Sequence, residues 1–244
     1  MTSAEILAIR DISQLRYLNL GNLGPRDELT WEEYRHIFKL CDALWLHSGN
    51  PTDPHAELTS GKCSDGFIDT LRVLCYPNLC QIMAMMLVRM IKDYRHSDLW
   101  CLPDWVIGSD HAGATLSFAV AGYLNARHDF TSKGPDGAQI WNRFEIQPGE
   151  RVLQVEELVT TTKTLQAVRD GIIKGNPHPV TFSPVVMTLV HRSDVYQLDD
   201  ETSILYCEHY DIQTWDPTEC PLCAAGSKRL RPKQNWAELT GKVK

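Results

Sequence analysis

Between residues 105 and 207, short apolar runs alternate with segments of helical periodicity. The predicted strands cover residues 105–108, 151–156, 180–190 and 203–207, and the predicted helices cover residues 112–124 and 164–173. Such alternation favours right-handed crossovers and a parallel sheet that is covered by helices. Because ligands of these sheets bind beyond the carboxyl ends of the strands, we expect a site in the loops after Gly108 and Glu157.

Two helices are predicted ahead of this alternation. Thr30 and Glu33 form a capping box before apolar residues at helical spacing, which predicts a helix over residues 31–46. A single apolar stripe over residues 79–94 predicts the second helix, whose methionines we expect to pack in the core. Residues 58–69, between the two helices, are predicted to be extended with turns.

Charge and hydropathy exclude several functional classes. A net charge of −7 argues against a nucleic-acid surface, which needs a dense basic patch. No run approaches the length of a membrane span, since residues 79–91 are broken by Gln81 and Arg89. Residues 1–20 lack the apolar core of a signal peptide. We therefore expect a cytoplasmic protein with neither nucleic-acid nor membrane partners.

The eight cysteines are expected to be reduced, given that cytoplasmic location. Four of them lie in apolar periodic stretches where a thiol behaves as a small hydrophobe, namely Cys41, Cys75, Cys80 and Cys101.

Four further side chains near the carboxyl terminus are possible zinc ligands: Cys207, His209, Cys220 and Cys223. Only half of a strong zinc pattern is present, because a single Cys-x-x-Cys knuckle occurs. We expect a packed loop with free thiols and no metal, and structural zinc is the alternative that the pattern leaves open.

The most informative segment covers residues 151–165. It combines a buried strand, two adjacent carboxylates at Glu156 and Glu157, and a hydroxyl-rich turn that opens a helix. A helix N-terminus presents unpaired backbone N–H groups and a partial positive charge, which together favour a phosphate. The two carboxylates suit a pair of sugar hydroxyls and can approach Mg²⁺ through water.

This arrangement resembles the phosphoribosyl pyrophosphate signature of the type I phosphoribosyltransferases. The resemblance implies that Glu156 and Glu157 hold the ribose 2- and 3-hydroxyls. It also implies that the 5-phosphate is wrapped by Thr160, Thr161, Thr162, Lys163 and Thr164. Both acids are glutamate, whereas the family usually has at least one aspartate. The family also usually has glycine at the position of Thr162. If that position needs a positive φ, threonine there costs on the order of 1 kcal/mol relative to glycine.

Residues 55–69 resemble the N-terminal loop of orotate phosphoribosyltransferases, which closes over the base. By that resemblance Ser60, Lys62 and Phe67 bind substrate, with the Phe67 ring packing against the base. Without the resemblance, Ser-Gly-Lys and Ser-Asp-Gly are turn formers, and Phe67 fits a core position equally well.

Residues 107–114 lie between a predicted strand and a predicted helix, and Gly108 and Gly113 would let the backbone approach an anion. In the family this loop binds pyrophosphate, which implies substrate-binding roles for Ser109, Asp110, His111 and Gly113. A lone loop histidine such as His111 is also often an ordinary surface residue.

Lys133 follows a strand that begins near Arg127. Orotate enzymes place a catalytic lysine at this strand end, followed by a mobile loop with further basic residues and a histidine. The resemblance implies that Lys133 contacts pyrophosphate. The loop is short in this chain, and Arg143 is the only other cation near it.

The resemblance extends from residue 55 to about residue 175. It implies an α/β fold with a Rossmann-like parallel sheet flanked by helices and a small hood. Residues 1–210 would form the phosphoribosyltransferase-like domain with its N-terminal helical and hood segment. Residues 211–244 would form a cysteine-containing extension.

The implied activity is transfer of ribose 5-phosphate from phosphoribosyl pyrophosphate to an orotate-like pyrimidine, with release of pyrophosphate. Mg²⁺ would be the cofactor and a homodimer the assembly. Purine-type members have an aspartate where this chain has Thr160, which favours a pyrimidine. The alternatives are a non-catalytic regulator that binds phosphoribosyl pyrophosphate or a nucleotide, and a nucleotide-cleaving or base-exchanging enzyme on the same scaffold.

Overall fold

Residues 1–23, 29–94 and 102–242 are described in the computed structural model of the chain. Cys101, which we predicted to be a small hydrophobe, lies outside the described residues. Among the described helices, none combines the length and apolar character that crossing a bilayer requires.

Helices and strands follow one another along the whole chain. The helices are α1 (Ser3–Leu7), α2 (Trp31–Leu40), α3 (Leu71–Leu74), α4 (Pro77–Tyr94), α5 (Ala112–Leu124), α6 (Lys163–Gly175), α7 (Pro221–Ala224) and α8 (Pro232–Leu239). The strands are β1 (Leu44–Leu46), β2 (His55–Glu57), β3 (Cys63–Ser64), β4 (Gly66–Ile68), β5 (Trp105–Gly108), β6 (Arg127–Phe130), β7 (Ser132–Lys133), β8 (Gln139–Ile140), β9 (Arg151–Val159), β10 (Thr181–His191), β11 (Ser203–His209), β12 (Thr214–Trp215) and β13 (Arg229–Leu230). Two 3₁₀ segments, Ile12–Tyr17 and Leu20–Asn22, follow α1.

The central sheet has five strands in the order β11-β10-β9-β5-β6. Every pairing in it is parallel, which confirms the predicted architecture. The chain places β6 on one side of β5 and β9 on the other, so the direction of winding reverses between β5 and β9. In open parallel sheets the ligand crevice lies at such a reversal, beyond the carboxyl ends of the strands.

Helices cover both faces of this sheet. Val106 and Leu153 belong to the larger core, which also contains the apolar stripe of α4 and buried residues of α5. Ile107 and Val152, their neighbours along the same strands, pack with Val168 of α6 in a second cluster. Successive side chains of a strand point to opposite faces, so this division explains the continuous apolar runs in the sequence.

The first predicted helix was too long. Helix α2 ends at Leu40, and Asp42 adopts a left-handed φ of 54° that breaks the helical path. Leu44–Leu46 is then a strand that pairs antiparallel with β4, with Trp45 opposite Phe67. Apolar residues at helical spacing cannot by themselves exclude such a pairing with a distant segment.

The last third of the chain adds strands to the hood, defined here as β1–β4. A four-stranded sheet has the order β12-β3-β2-β13 and thus mixes hood and extension strands. Trp215 pairs with Cys63, and Arg229 pairs with His55. The extension after residue 211 therefore completes a sheet that begins more than a hundred residues earlier in the chain.

Candidate active site at the carboxyl edge of the parallel sheet

The predicted pair of glutamates lies at the end of β9, next to the reversal of the sheet. Glu156 is only 2% exposed, and it accepts hydrogen bonds from the Ser109 backbone N–H (3.1 Å) and from Ser109 Oγ (2.5 Å). Glu157 is half-buried. The prediction gave both carboxylates the same role, but Glu156 holds the loop after β5, which leaves Glu157 as the more accessible of the two.

Further carboxylates surround these glutamates. Burial, and then the charge of Glu157, raises the pKa of Glu156 to about 8. Burial, followed by the charges of Asp110 and Asp69, also raises the pKa of Glu157. Among the described residues, no cationic side chain forms an ion pair with either glutamate. The edge therefore holds concentrated negative charge that a cation would stabilise.

The loop between β5 and α5 reaches Glu156 because a glycine without a Cβ lies on each side of it, Gly108 at the end of β5 and Gly113 in the first turn of α5. A Cβ on Gly113 would lie 2.7 Å from Ser109 Oγ and 2.9 Å from Glu156 Oε2. A Cβ on Gly108 would lie 2.4 Å from the carbonyl oxygen of Gly113. Both glycines thus let the strand, the loop and the helix pack closely together. The sequence analysis had instead predicted that they let the backbone approach an anion.

His111 caps this loop with an unusual backbone. Its φ of 59° and ψ of −106° are sparsely populated for a residue with a side chain. Strain of this kind costs on the order of 1–3 kcal/mol and persists only where the surroundings hold it. The side chain is 86% exposed, with Nε2 3.9 Å from Asp110 Oδ2. The imidazole is thus presented to solvent beside the acidic edge.

The threonine-rich turn between β9 and α6 lies on the surface. Thr160, Thr161 and Thr164 are exposed, and Thr162 has a φ of −73° with no side-chain capping bond. The expected strain at Thr162 is absent because its φ is negative. Within the described part of the chain, no group accepts a hydrogen bond from the backbone N–H groups of residues 161–164. The turn therefore offers free donors at the N-terminus of α6.

A cavity of about 310 Å³ adjoins Thr160. It is lined from the segments after β10 and β11, and Arg192 contributes a guanidinium whose Nε lacks a partner among the described groups. Sequence reasoning missed Arg192, although its place two residues after the predicted strand of residues 180–190 pointed to this edge. It also missed Asp69, which directly follows β4 and lies near Glu157.

The predicted base-binding residues lie against the extension. Lys62 Nζ is 3.5 Å from Asp216 Oδ2, and Ser60 is exposed in the loop between β2 and β3. The ring of Phe67 is edge-on to Trp236, with 6.1 Å between their centroids. Phe67 is half-buried and packs against a small cluster of Trp45, Ala56, Leu230 and Leu239, so its role towards the base stays a prediction.

Lys133 lies on the β7–β8 hairpin, which follows the edge strand β6. Its side chain is exposed and forms no ion pair with a described acid. Two strands, β6 and β5, separate it from β9 in the sheet order. The structure therefore places Lys133 on the same side of the fold as the glutamates but does not bring it into contact with them.

The four suggested zinc ligands do not come together. Cys207 Sγ is 3.9 Å from Met90 Sδ, and His209 Nδ1 is 3.0 Å from His191 Nδ1. Cys220 and Cys223 lie elsewhere, beside two hood residues. The four residues therefore do not form one ligand set, because Cys207 and His209 lie on the central sheet and Cys220 and Cys223 lie beside His55 and Cys63.

Curated proteins and solved structures resemble this chain, although no family model matches it. The orotate phosphoribosyltransferase of Caldicellulosiruptor saccharolyticus is 30% identical over 202 residues, which span 82% of this chain and 95% of that protein. The enzyme of the same name from Caldanaerobacter subterraneus is 31% identical over 178 residues, 73% of this chain and 87% of its own length. The crystal structure of orotate phosphoribosyltransferase from Aeropyrum pernix has a TM-score of 0.51 at 18% identity, covers 71% of this chain and 91% of that chain, and shows a shared fold.

Proposed function

Because the chain belongs to the orotate phosphoribosyltransferase family, we propose that it transfers ribose 5-phosphate from phosphoribosyl pyrophosphate to an orotate-like pyrimidine and releases pyrophosphate. One observation supports placing the active site at the carboxyl edge of the parallel sheet. A carboxylate pair and a helix N-terminus with unpaired amides adjoin each other at the reversal of the parallel sheet.

The turn of residues 160–164 binds the 5-phosphate. Its free amides and exposed hydroxyls supply donors, and the dipole of α6 adds partial positive charge. Arg192 lines the cavity beside Thr160 and adds a full positive charge near the same place. These groups fix the sugar phosphate so that the reacting carbon is held in one orientation.

Glu157 accepts hydrogen bonds from the ribose hydroxyls, since it is the more accessible carboxylate of the pair. Glu156 positions the loop of residues 109–111 through its two bonds to Ser109. That loop, with the exposed imidazole of His111, faces the leaving pyrophosphate. Lys133 supplies a further cation from the β7–β8 hairpin, and its exposed side chain is free to reorient when substrate binds.

Mg²⁺ fits the donor set at this edge. The carboxylates of Asp69, Asp110 and Glu157 are hard oxygen ligands, and their mutual repulsion contributes to the raised pKa of Glu157. A divalent cation held through water would relieve that repulsion. When bound, the ion supplies neutralisation of the charge that develops on the departing pyrophosphate.

The base is an acidic pyrimidine. Thr160 stands where purine-type enzymes have an aspartate that handles the base proton, and orotate already carries its negative charge. Orotate and phosphoribosyl pyrophosphate with Mg²⁺ should therefore release pyrophosphate faster than uracil, adenine or hypoxanthine in the same coupled assay. Turnover with a purine alone would contradict the base assignment. Tight binding of phosphoribosyl pyrophosphate without turnover on any base would instead support a regulator.

We also propose a cytoplasmic homodimer. Type I members commonly pair two subunits near the site, and the exposed free thiol of Cys75 suits a reducing compartment. Sedimentation velocity on the full chain should give the mass of two chains, and a species of one chain at micromolar concentration would contradict the dimer. Cell fractionation tests the location.

A further inference from the structure

A second polar cluster lies at the junction of the hood and the extension, away from the edge of the parallel sheet. His55 begins β2 and Cys63 begins β3, while Cys220 caps the N-terminus of the short helix α7 and Cys223 lies within that helix. The imidazole nitrogen and three sulfur atoms all lie within 4.8 Å of one another. His55 and Cys63 are fully buried, and Cys220 is 2% exposed.

The spacing of these atoms matches a tetrahedral metal centre. Cys63 Sγ is 3.6 Å from Cys223 Sγ, and His55 Nε2 is 3.4 Å from Cys223 Sγ and 3.7 Å from Cys220 Sγ. Zinc–sulfur bonds of ~2.3 Å and zinc–nitrogen bonds of ~2.0 Å place tetrahedral ligand atoms roughly 3.5–3.8 Å apart. The observed separations therefore leave room for one ion at the centre with little movement.

The hydrogen bonds of His55 direct Nε2 towards that centre. The hydroxyl of Ser227 donates to the carbonyl oxygen of Asp53, so its oxygen is left to accept from His55 Nδ1 at 2.7 Å. With its proton on Nδ1, the imidazole has a lone pair on Nε2, the atom that faces the thiols. A histidine ligand of a metal characteristically donates its other N–H in this way.

The backbone around the two extension cysteines adds a further indication. The N–H of Cys223 lies 3.4 Å from Cys220 Sγ, the geometry of an amide directed at a sulfur ligand. Gly226 has a φ of 82° and turns the chain so that Ser227 returns to the site. The knuckle therefore brings both thiols and the partner of His55 into one place within eight residues of sequence.

We propose that His55, Cys63, Cys220 and Cys223 bind one Zn²⁺ as a closed structural site that fastens the extension to the hood. On binding, the three thiols lose their protons to solvent and form three zinc–sulfur bonds, and neutral His55 adds one zinc–nitrogen bond. Three thiolates and one imidazole in a tetrahedral set favour zinc over Mg²⁺ or Ca²⁺, which prefer oxygen. Four protein ligands leave no open position, so the ion has no catalytic role.

The position of the site gives it a structural task. It links ligands that are about 160 residues apart and lie on three separate elements. Two of the ligands, His55 and Cys63, bracket the loop that carries Ser60 and Lys62. The ion would therefore hold both ends of this loop and the extension that covers it, and it does not depend on the proposed transferase reaction.

Zinc content of the full chain, purified in reducing buffer and dialysed against a weak chelator, provides the test. Elemental analysis should find about one zinc per chain, and the paired substitution Cys220→Ser with Cys223→Ser should abolish it. Cys75→Ser, at an exposed thiol, and His209→Ala, in the set suggested from sequence, should each keep the full content. Wild-type chain without zinc, or zinc lost in the His209 variant and kept in the paired variant, would overturn the proposal.

Substitution of the metal covers the case in which the paired variant does not fold. The wild-type chain loaded with Co²⁺ should show intense near-ultraviolet bands from thiolate-to-cobalt charge transfer and the visible bands of tetrahedral cobalt. Their absence would overturn the proposal, as would a disulfide among these thiols in the intact mass of the chain. Pyrophosphate release is assayed separately, so failure of the zinc site leaves the transferase proposal standing or falling on its own test.

Discussion

The carboxyl edge of the parallel sheet differs from the cysteine–histidine cluster, at the junction of hood and extension, in its donor atoms and in its exposure to solvent. The edge offers oxygen donors, a half-buried Glu157 and an exposed turn beside a cavity of about 310 Å³. The cluster offers three sulfurs and one nitrogen, nearly all of them buried. Oxygen ligands suit a hard ion that exchanges with its substrate, whereas sulfur ligands suit a soft ion that stays.

This difference suits the two regions to two roles, catalysis at the edge and structural support at the cluster. At the edge, neither glutamate has a cationic partner among the described residues, so a bound cation can stabilise the negative charge of Glu157. In the cysteine–histidine cluster, the ligand atom of each side chain lies within 4.8 Å of the other three, and two of the four side chains belong to the hood and two to the extension. The two regions should therefore respond to different perturbations.

The largest expected effect is at the edge. Glu157→Gln removes the charged acceptor of the ribose hydroxyls, whose hydrogen bonds are worth roughly 1.5–3 kcal/mol each, and Glu156→Gln in the same variant alters the acceptor that positions Ser109. In the double variant kcat/KM should therefore fall on the order of a thousandfold. Binding of phosphoribosyl pyrophosphate, measured by calorimetry, should weaken, and circular dichroism should show a folded chain. Glu219→Gln, at an exposed position of the extension, is the matched control and should be unchanged. Equal affinity in the double variant and the wild type would remove the proposed role of the glutamates.

The pH dependence of stability comes next. Because the pKa of Glu156 is about 8 in the fold and near 4.5 in the unfolded chain, the fold retains a proton that the unfolded chain loses between those values. The free energy of unfolding of the ligand-free chain should thus fall, on the order of 4 kcal/mol, as pH rises from 5 to 8. Urea titrations should show a flatter profile for Glu156→Gln, and identical slopes in the two proteins would contradict the burial argument.

Chelators should separate the two regions. Treatment with phenanthroline should lower the Tm by about 10 °C, because it removes the Zn²⁺ that links the extension to the hood. Omission of Mg²⁺ should abolish turnover and leave the Tm within about 1 °C, because a weakly held ion adds little stability to the free chain. Thermal scans and pyrophosphate release on the same samples check both. Equal changes of Tm in the two treatments would remove the distinction.

A smaller effect is expected at Gly113. An added Cβ would collide with Ser109 Oγ and Glu156 Oε2, so Gly113→Ala should destabilise the chain by roughly 1–3 kcal/mol and reduce activity. Gly122→Ala in the same helix meets nothing within 4 Å and should stabilise it by about 0.5–1 kcal/mol. Opposite signs in denaturant unfolding are the expected outcome, and a neutral Gly113→Ala would show that the loop can shift.

The smallest effect is expected at Thr162. Its φ of −73° needs no glycine, so Thr162→Gly should destabilise α6 by only a few tenths of a kcal/mol. A clear gain in stability would mean that the turn adopts a positive φ at this position after all. Thermal unfolding, compared with Thr161→Gly in the preceding exposed position, resolves the sign.

Local sequence predicted the edge well because its parts are contiguous. Residues 151–164 contain a strand, two acids and a helix start in one run, and the fold keeps that order in space. The alternation of strands and helices likewise predicted the parallel sheet, since each crossover is encoded by neighbouring segments.

The rest depended on distant pairings that periodicity does not report. Leu44–Leu46 becomes a strand because β4 lies beside it, although its apolar spacing also fits a helix. Cys220 and Cys223 lie beside His55 and Cys63 of the hood, and Cys207 is half-buried against the larger core. Asp69 joins the acidic edge from a segment that was predicted to be extended with turns and was compared with the loop that closes over the base.

A crystal structure of the chain soaked with phosphoribosyl pyrophosphate and Mg²⁺ tests the central claim most directly. The account predicts the 5-phosphate within hydrogen-bond distance of the amides of residues 160–164 and a ribose hydroxyl on Glu157. Density for the sugar phosphate elsewhere on the chain, with those amides bonded inside the protein, would contradict it.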